Sequence, residues 1–368
     1  MDRARVKASS HMIIGKRLYD HSLANVVYTA HLKPSECEAL SIKILRLLFG
    51  LFVLASPAAE AEPAYAVDPH ITVLSTMLAN FSGHGEWGFS ALIETEAGTV
   101  LFDTGFKQST VWRNSQSLEV DLSMVTHVIL THYHTDHTGG LLHMRKQLME
   151  NYPQALSKVY VGKGFFAQRF TKDGMPVYSL DKSINPDYFE KPQDFRQAAE
   201  ALGIQFTVVE QAREILPGVH LSGAIKRRHD ERNVSPGRFL DAAANQPDNI
   251  PESQVLGLLT SRGWLLVSGC GHAGIVNATA ALRDIESVPV VMGVGGFHLF
   301  RASNEVLDWT AGHLKAVGME RLVGAHCTGT AATYHLKEHL NLPASKVSIG
   351  AVGTQIDSSL NIIRASVE

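Results

Sequence analysis

Short apolar runs rich in β-branched residues recur along the chain from residue 67 onward, and segments with the spacing of helices separate them. Runs of about four to eight apolar residues bounded by turn residues predict buried strands. We predict strands in ITVLST, in a hairpin GFSALIETEAGTVLFDTG that turns at Ala97-Gly98, and in VTHVILTHY, LSKVYVGK, IQFTVVE, GVHLSGAI, VLGLLTSRGWLLVSGC, VPVVMGVGGFHLF, RLVGAHCTG and KVSIGAVGT. Strand-rich halves separated by helices predict an α/β fold with two sheets between helical layers.

Helices are predicted where apolar residues return with the period of a helix. The pattern after Gly140 predicts a helix over 141–149, and two later patterns predict helices over 273–285 and 303–317. The segment 169–197 is rich in Asp, Pro, Lys and Tyr. This composition predicts an irregular insertion that covers one face of the fold.

The N-terminal part of the chain carries a different pattern. Its apolar run, ILRLLFGLFVLAS, spans residues 44–56, with Lys43 and Arg46 as a basic flank. The small-residue motifs AEA at 59–61 and AYA at 64–66 follow it. A basic flank, a short apolar region and a small-residue site form the layout of a secretory signal, although a buried core helix is the alternative. The run is too short for a comfortable membrane span.

We therefore predict two parts, an N-terminal extension with a signal-like segment over 1–66 and a folded domain over 67–368. The mature chain is expected to start near Glu62 or Val67 and to be periplasmic or secreted. No stable membrane span is expected after the signal is removed. Cys37 falls in the part to be removed, and the two cysteines that remain do not make a disulfide framework.

The overall charge excludes one class of partner. The formal net charge is −3, and the basic residues are scattered apart from the short cluster Lys226, Arg227 and Arg228. An electrostatic nucleic-acid binder needs a basic face, which this composition does not provide. The expected partner is a small molecule.

Metal-binding residue types are concentrated in LTHYHTDHTGG, residues 130–140, directly behind a predicted strand. Since alternate residues of a strand face the same side, His132 and His134 can share one cation. Asp136 and His137 can face a second position, and their N and O atoms suit zinc-like ions. A solvated turn, the alternative, does not need three imidazoles beside a carboxylate.

One loop cannot close such a site, so further ligands must come from other strand ends. His272, His298 and His326 each follow a predicted strand and have glycines nearby that allow close backbone approach. His220 and His229 are weaker candidates.

These motifs together resemble the metallo-β-lactamase superfamily: LFDTG with Asp103, then THYHTDHTGG, then single ligands on later strand ends. More narrowly, the series GFSALIE, LFDTG, HYHTDHTGGL, SGCGHAGIVN, GGFHLF, AHCTGT and VGT is similar to the subfamily of dihydropterin ribofuranosyl-aminobenzene phosphate synthase. The resemblance spans 71–354 and implies an αββα sandwich, with two mixed β-sheets between helical layers, over 67–368.

The resemblance also implies roles for individual residues. Asp103 would orient the cluster, and Cys270 stands where many hydrolases of the superfamily have an aspartate that bridges two metals. This departure leaves the bridging ligand and the number of metals open. Cys270 and Cys327 are expected beside the ligands, as a disulfide, as a thiolate ligand or as apolar packing. The expected metal ligands are His132, His134, Asp136, His137, His272 and His326.

The chemistry implied is hydrolysis of an ester, lactone, amide or phosphoester by metal-bound water, whose pKa falls to about 7. Zinc is expected as one or two ions, with iron or manganese as alternatives. Asp136 and His298 are the expected catalytic side chains, Asp136 for the proton of the water and His298 as a proton donor or oxyanion partner. The substrate contacts considered are Lys163, Arg169, Arg227 and Arg228.

Two other functions remain open. The resemblance allows a transferase of methanopterin biosynthesis that acts on a pterin and a phosphorylated ribofuranosyl-aminobenzoate, although export fits a cytosolic pathway badly. A non-catalytic metal-binding protein, or a di-iron redox protein, on the same fold is the other alternative; the redox reading expects iron and more carboxylate ligands.

Overall fold

The computed structural model describes residues 63–177, 189, 191–231, 233–234 and 236–368. The signal-like run, Cys37 and most of the predicted N-terminal extension therefore lie outside the described residues. Residues from Pro63 to Glu368 form one compact unit. Within the described residues, no helix has the length and apolar character needed to cross a membrane.

The elements follow one another along the chain as two runs of strands with helices between them. The strands are β1 (His70–Ser75), β2 (Ser90–Thr95), β3 (Gly98–Phe102), β4 (His127–Leu130), β5 (Lys158–Gly162), β6 (Gln205–Val209), β7 (Arg213–Leu216), β8 (Val219–Leu221), β9 (Leu256–Thr260), β10 (Gly263–Ser268), β11 (Val290–Gly295), β12 (Arg321–Gly324), β13 (Val347–Ser348), β14 (Gln355–Ile356) and β15 (Ile362–Ile363). The helices are α1 (Thr110–Ser117), α2 (Thr135–Thr138), α3 (Leu141–Leu148), α4 (Pro192–Ala201), α5 (Ile275–Ile285), α6 (Asn304–Ala316) and α7 (Thr330–His339), with 3-10 turns at His326–Thr328 and Ala344–Lys346.

The described strands form two mixed sheets, with the orders β15-β14-β1-β2-β3-β4-β5-β6 and β13-β12-β11-β10-β9-β8-β7. Strands β3 to β6 are parallel neighbours in the first sheet, and β10 to β13 are parallel neighbours in the second. The other pairs of neighbours are antiparallel. Because ligands bind in open α/β sheets beyond the carboxyl ends of the strands, β4, β10, β11 and β12 end where a site is expected.

Three apolar layers hold the sandwich together. Phe102 and Ile129 of the first sheet pack in one buried cluster with Leu265 of the second sheet. Leu141 of α3 belongs to a cluster on the outer face of the first sheet, and Leu307 of α6 to one outside the second. Burying one such side chain contributes about 1.5–3 kcal/mol. The predicted αββα architecture, with two mixed sheets between helical layers, is confirmed.

The predicted helices and most predicted strands are confirmed with small differences at their ends, and two predictions need correction. Within KVSIGAVGT, only Val347–Ser348 forms a strand, and the rest of that segment is not in a strand. Residues 192–197 belong to α4 instead of the predicted irregular insertion, since Pro192 at the first position suits a helix start. Residues 178–188 of that insertion lie outside the described residues. Among the described residues, Phe170 pairs through isolated bridges with Pro176 and Phe239.

The boundary between extension and domain remains a prediction, but one contact near it is described. Ala66 is buried, and its N–H donates to the Leu259 carbonyl over 2.8 Å. A mature chain that starts at Glu62 keeps this contact, whereas one that starts at Val67 loses it.

Candidate metal centre

The loop after β4 is fixed by the buried Asp103 carboxylate, which accepts three hydrogen bonds. Thr131 donates to it from its backbone N–H over 2.8 Å and from its hydroxyl over 2.9 Å. His137 Nδ1 donates to the same carboxylate over 2.7 Å. A carboxylate that holds one ring nitrogen of a histidine sets the tautomer and leaves the other nitrogen for a metal. Asp103 therefore directs His137 Nε2 into the site.

Three histidines converge on one side of the site, and we call His132, His134 and His272 the imidazole group. His132 Nε2 lies 3.0 Å from His134 Nδ1, and the His272 ring centroid lies 4.6 Å from that of His132. His272 Nδ1 donates to the Asn233 carbonyl over 2.6 Å. The buried Nε2 of His272 has no hydrogen-bond partner among the described residues.

Burial sets the protonation state of the imidazole group. Loss of water, reinforced by neighbouring histidines, lowers the pKa of His132 and of His272 well below the usual value. Burial lowers the pKa of His134 to about 4. The three rings are therefore neutral near pH 7, which is the form that binds metals.

A second set of donors lies beside the first, and we call Asp136, His137 and His326 the mixed group. Asp136 Oδ2 lies 3.5 Å from His137 Nε2 and 3.4 Å from His326 Nε2. Burial opposes a charge on His137, yet the Asp136 and Asp103 carboxylates raise its pKa to about 10. Burial also opposes a charge on His326, but Cys327 and Asp136 raise its pKa to about 9. Metal binding to this group must therefore displace protons.

His298 lies next to the imidazole group at the end of β11. Its ring centroid is 4.7 Å from that of His272 and 5.4 Å from that of Phe300. Its Nδ1 has no hydrogen-bond partner among the described residues, and its backbone has a φ of 53°. A non-glycine residue in this conformation costs about 1–3 kcal/mol, so the surrounding structure must hold it there.

Cys270 and Cys327 are buried free thiols, so the disulfide considered above is not formed in this structure. The Cys327 thiol faces the Cys270 carbonyl at 3.6 Å. Burial raises the pKa of the Cys270 thiol well above its usual value.

A glycine lets the two sheets meet at this point. A Cβ atom added to Gly269 would lie 2.4 Å from Asp103 Oδ2 and 2.5 Å from Thr131 Oγ1. Real Cβ atoms do not come so close to such atoms, so no side chain fits between the end of β10 and the first-sheet loop. The residue that follows, Cys270, is thereby placed beside His137.

The donors open onto a cavity of about 1420 Å³. The aromatic side chains in its wall are Trp87, Tyr133, Phe300 and Trp309. Its lining also includes donors of both groups and their neighbours, namely His134, Asp136, Cys270, His272, His298 and Cys327. A large concave site with apolar walls and convergent polar groups is typical of small-molecule binding.

The basic residues considered as substrate contacts take different positions. Arg169 lines the cavity, but its guanidinium is paired with Asp248 at 3.1 Å and Glu252 at 2.6 Å. Arg228 also lines the cavity and pairs with Asp284. Lys163 and Arg227 are not part of the lining, and Lys163 pairs with Glu210. The cavity supports a contact role for Arg228 more than for Lys163 or Arg227.

Several other features of the site have only weak patterns in the sequence. Arg238 and Arg301 also line the cavity, and the Arg301 guanidinium lies 5.0 Å from the Phe300 ring centroid. The Asn233 carbonyl that holds His272 carries no sequence pattern. His220 packs against Trp264, and its ring does not line the cavity.

His229, the other weak candidate, lines the cavity but contacts Trp309 and His313 instead of the donors.

The donors that do converge fit a zinc-like metal. They combine imidazole nitrogens, a carboxylate and a thiol, which is a set that transition metals prefer. The unpartnered, buried His272 Nε2 also indicates a ligand, since buried polar atoms are nearly always satisfied.

Comparison with known proteins agrees with this geometry. Residues 88–276 match the metallo-beta-lactamase superfamily. The chain is 26% identical over 291 residues to the 7,8-dihydropterin-6-methyl-4-(beta-D-ribofuranosyl)-aminobenzene-5'-phosphate synthase of Methanocaldococcus jannaschii, which covers 75% of this chain and 94% of that protein. It is 25% identical over 251 residues to an uncharacterized protein of the same organism, which covers 68% of this chain and 87% of that protein.

A solved structure described as a metal-dependent hydrolase of the beta-lactamase superfamily has the same fold. It aligns with a TM-score of 0.61 and 24% identity, covering 78% of this chain and 98% of that one. The family match covers more than half of the chain, and the αββα sandwich and the histidine-rich strand ends agree with it. The chain therefore belongs to the metallo-β-lactamase superfamily.

Proposed function

We propose that this protein is a metal-dependent hydrolase of a small molecule with an ester, lactone, amide or phosphoester bond. One observation carries the proposal: both donor groups reach the same large cavity, through His134 and His272 on one side and Asp136 on the other. A purely structural metal site is closed by its ligands, whereas a catalytic one stays open to substrate.

The imidazole group and the mixed group would hold the metal, which we propose is zinc. When bound, such an ion lowers the pKa of a coordinated water to about 7 and polarises the oxygen of the bond that is cleaved. The relative that is a synthase and the metal-dependent hydrolase of the same fold both support an enzyme.

The chain's own side chains would position the substrate and move protons. Asp136 lines the cavity and reaches His137 and His326 with one oxygen, so its carboxylate could accept a proton released inside the site. His298 lines the same cavity beside His272, and its Nδ1, which has no partner among the described residues, could face a developing negative charge or a leaving group. Trp87 and Phe300, whose rings meet edge to face, would form an apolar wall against which the substrate is oriented.

The test combines metal analysis with a substrate panel. Protein purified without added metal is analysed for zinc, iron and manganese, and is then assayed against esters, lactones and phosphodiesters before and after chelation. We expect zinc in the protein, hydrolysis of at least one class, and loss of that activity with the metal. Full activity after complete removal of metal would rule out the proposal, and an iron-containing protein with redox but no hydrolytic activity would favour the redox alternative.

A transferase is the second candidate, because the alignment with the synthase covers nearly all of that protein. The distinguishing assay supplies a dihydropterin and a phosphorylated ribofuranosyl-aminobenzoate together and separately. A product that forms only when both are present supports the transferase. Turnover of single esters or lactones supports the hydrolase.

We also propose export, with a periplasmic or secreted mature chain. N-terminal sequencing of protein from each cell fraction tests this, and the Ala66 contact leads us to expect a start near Glu62 instead of Val67. An intact Met1 in exported material would contradict the signal.

A further inference from the structure

The Cys270 sulfur lies against both donor groups. It is 3.1 Å from His137 Nε2 and 3.3 Å from His326 Nε2. With Asp136, these ligand atoms all lie within 4.8 Å of one another. The same sulfur also lies within 4.8 Å of the ligand atoms of His132 and His272.

The nearby carboxylates do not share this position. Asp136 groups with His137 and His326, but among the described residues it is not grouped with the imidazoles of His132 and His272. Asp103 lies on the far side of His137 and already accepts hydrogen bonds from His137 Nδ1 and from Thr131. Cys270 is the donor that the two groups have in common within the described part of the chain.

One short turn supplies this sulfur and the third imidazole together. Gly269 brings the end of β10 against the first-sheet loop, and Gly271 follows Cys270 with a φ of 65°. This turn lets Cys270 and His272 both line the cavity. His272 is only 3% exposed, and its buried Nε2 has no partner among the described residues, so this atom indicates a ligand independently of the cysteine.

We propose that the Cys270 thiolate is a ligand shared by two divalent metal ions, one held by the imidazole group and the other by the mixed group. The inference rests on the proposed function, since it concerns the same site. On binding, the thiol loses its proton to solvent and its sulfur coordinates the metals, with no electron transfer. A soft sulfur ligand favours zinc over magnesium, calcium or manganese.

The experiment uses the full mature protein loaded with Co²⁺ alone and follows two quantities that do not depend on turnover. These are the number of bound ions per chain and the sulfur-to-cobalt charge-transfer absorption in the near ultraviolet. We expect two ions and a clear charge-transfer band in the parent protein. Cys270→Ser should abolish the band and lose at least one of the two ions.

Two further variants make the result specific. Cys270→Asp should recover two ions without the band, because a carboxylate can bridge metals but provides no sulfur. Cys327→Ser is the matched control: Cys327 is a buried free thiol whose sulfur, among the described residues, groups with Cys270 and His298 but with neither the imidazole group nor the mixed group, so this variant should keep both the band and the two ions. Circular dichroism and thermal unfolding of each variant show whether the fold is retained.

The outcomes separate this inference from the proposed function. Two bound ions without a band in the parent protein would overturn the shared thiolate, and so would a band that survives in Cys270→Ser. If the parent protein still hydrolyses a substrate in that case, the proposed hydrolase function stands. A single bound ion with a band also overturns sharing. If the parent protein has the band and two ions but hydrolyses no substrate of the panel, the shared thiolate is supported and the proposed hydrolase function is rejected.

Discussion

The two halves of the metal centre are built differently. The first sheet supplies its donors on one continuous segment, residues 132–137, which runs into helix α2 and is held by Asp103 and Thr131. The second sheet supplies Cys270, His272, His298 and His326 from the ends of three separate strands. In that half, His272 Nε2, His298 Nδ1 and His326 Nδ1 have no hydrogen-bond partners among the described residues.

This difference means that one half is preorganised to bind a metal and the other half is completed by it. The first half is positioned by hydrogen bonds within the protein, and such partners set ligand orientation before a metal arrives. The second half has buried nitrogens that protein groups leave unsatisfied, so a metal would complete it. Substitution of a residue that orients the first half should therefore weaken metal binding indirectly, whereas substitution in the second half should directly remove either a metal ligand or a group that transfers a proton.

The largest expected effect is at Asp136, which belongs to the first half but reaches the second through His326. Asp136→Ala should lower kcat on the best substrate of the panel by about 10²–10⁴-fold, because it removes a proton acceptor at the reacting site. Metal content should fall as well, which inductively coupled plasma analysis measures. Full metal content together with full activity would contradict the role given to Asp136.

His298 tests whether every second-half donor is a ligand. His298 lies at the cavity wall beside His272. His298→Gln should therefore lower kcat by about 10²-fold while metal content stays unchanged. The measurement is steady-state kinetics together with metal analysis of the same sample. Loss of a metal ion in this variant would instead place His298 among the ligands.

Asp103 tests preorganisation in the first half. Asp103→Asn should weaken metal affinity by about 10–100-fold, because His137 loses the carboxylate that fixes its tautomer. Chelator competition measures the affinity, and thermal unfolding of the metal-free variant checks the fold. An unchanged affinity would mean that the metal alone orients His137.

The smallest effect is expected at an exposed cluster of the same residue types. Asp308 accepts a hydrogen bond from His335 over 2.7 Å, the same length as the contact between Asp103 and His137, but Asp308 is 53% exposed. Asp308→Asn should leave metal affinity and kcat of the cavity site unchanged, because exposed pairs contribute little. A change of tenfold or more would show that the cluster is coupled to the site.

The first half of the site was predictable because its ligands are contiguous: three histidines and an aspartate in residues 132–137 specify it without knowledge of the fold. His272 and His326 could be found because each follows a strand with a clear apolar pattern. The resemblance places Cys270 where other members have a bridging aspartate, but no local pattern predicts its position between the two groups, since that depends on how two sheets approach at Gly269.

The missed elements have weak patterns for physical reasons. Helix α1 has only Val111 buried among its apolar residues, and its other buried positions are polar. Strand β7 is an edge strand whose residues are exposed or half-buried, so it shows no apolar run. Both elements take their stability from tertiary packing, which a local pattern does not record.

Because the two sheets approach closely at Gly269, a metal bound beside it would link the two sheets. Any ion held jointly by residues of the first-sheet loop and of the second-sheet strand ends ties together segments more than a hundred residues apart in the chain. Metal binding then raises the free energy of unfolding, by about 2.7 kcal/mol when the free metal is at a hundred times its dissociation constant. In a metal-poor environment the same protein would be less resistant to heat and proteases, so metal supply would govern how long the enzyme survives.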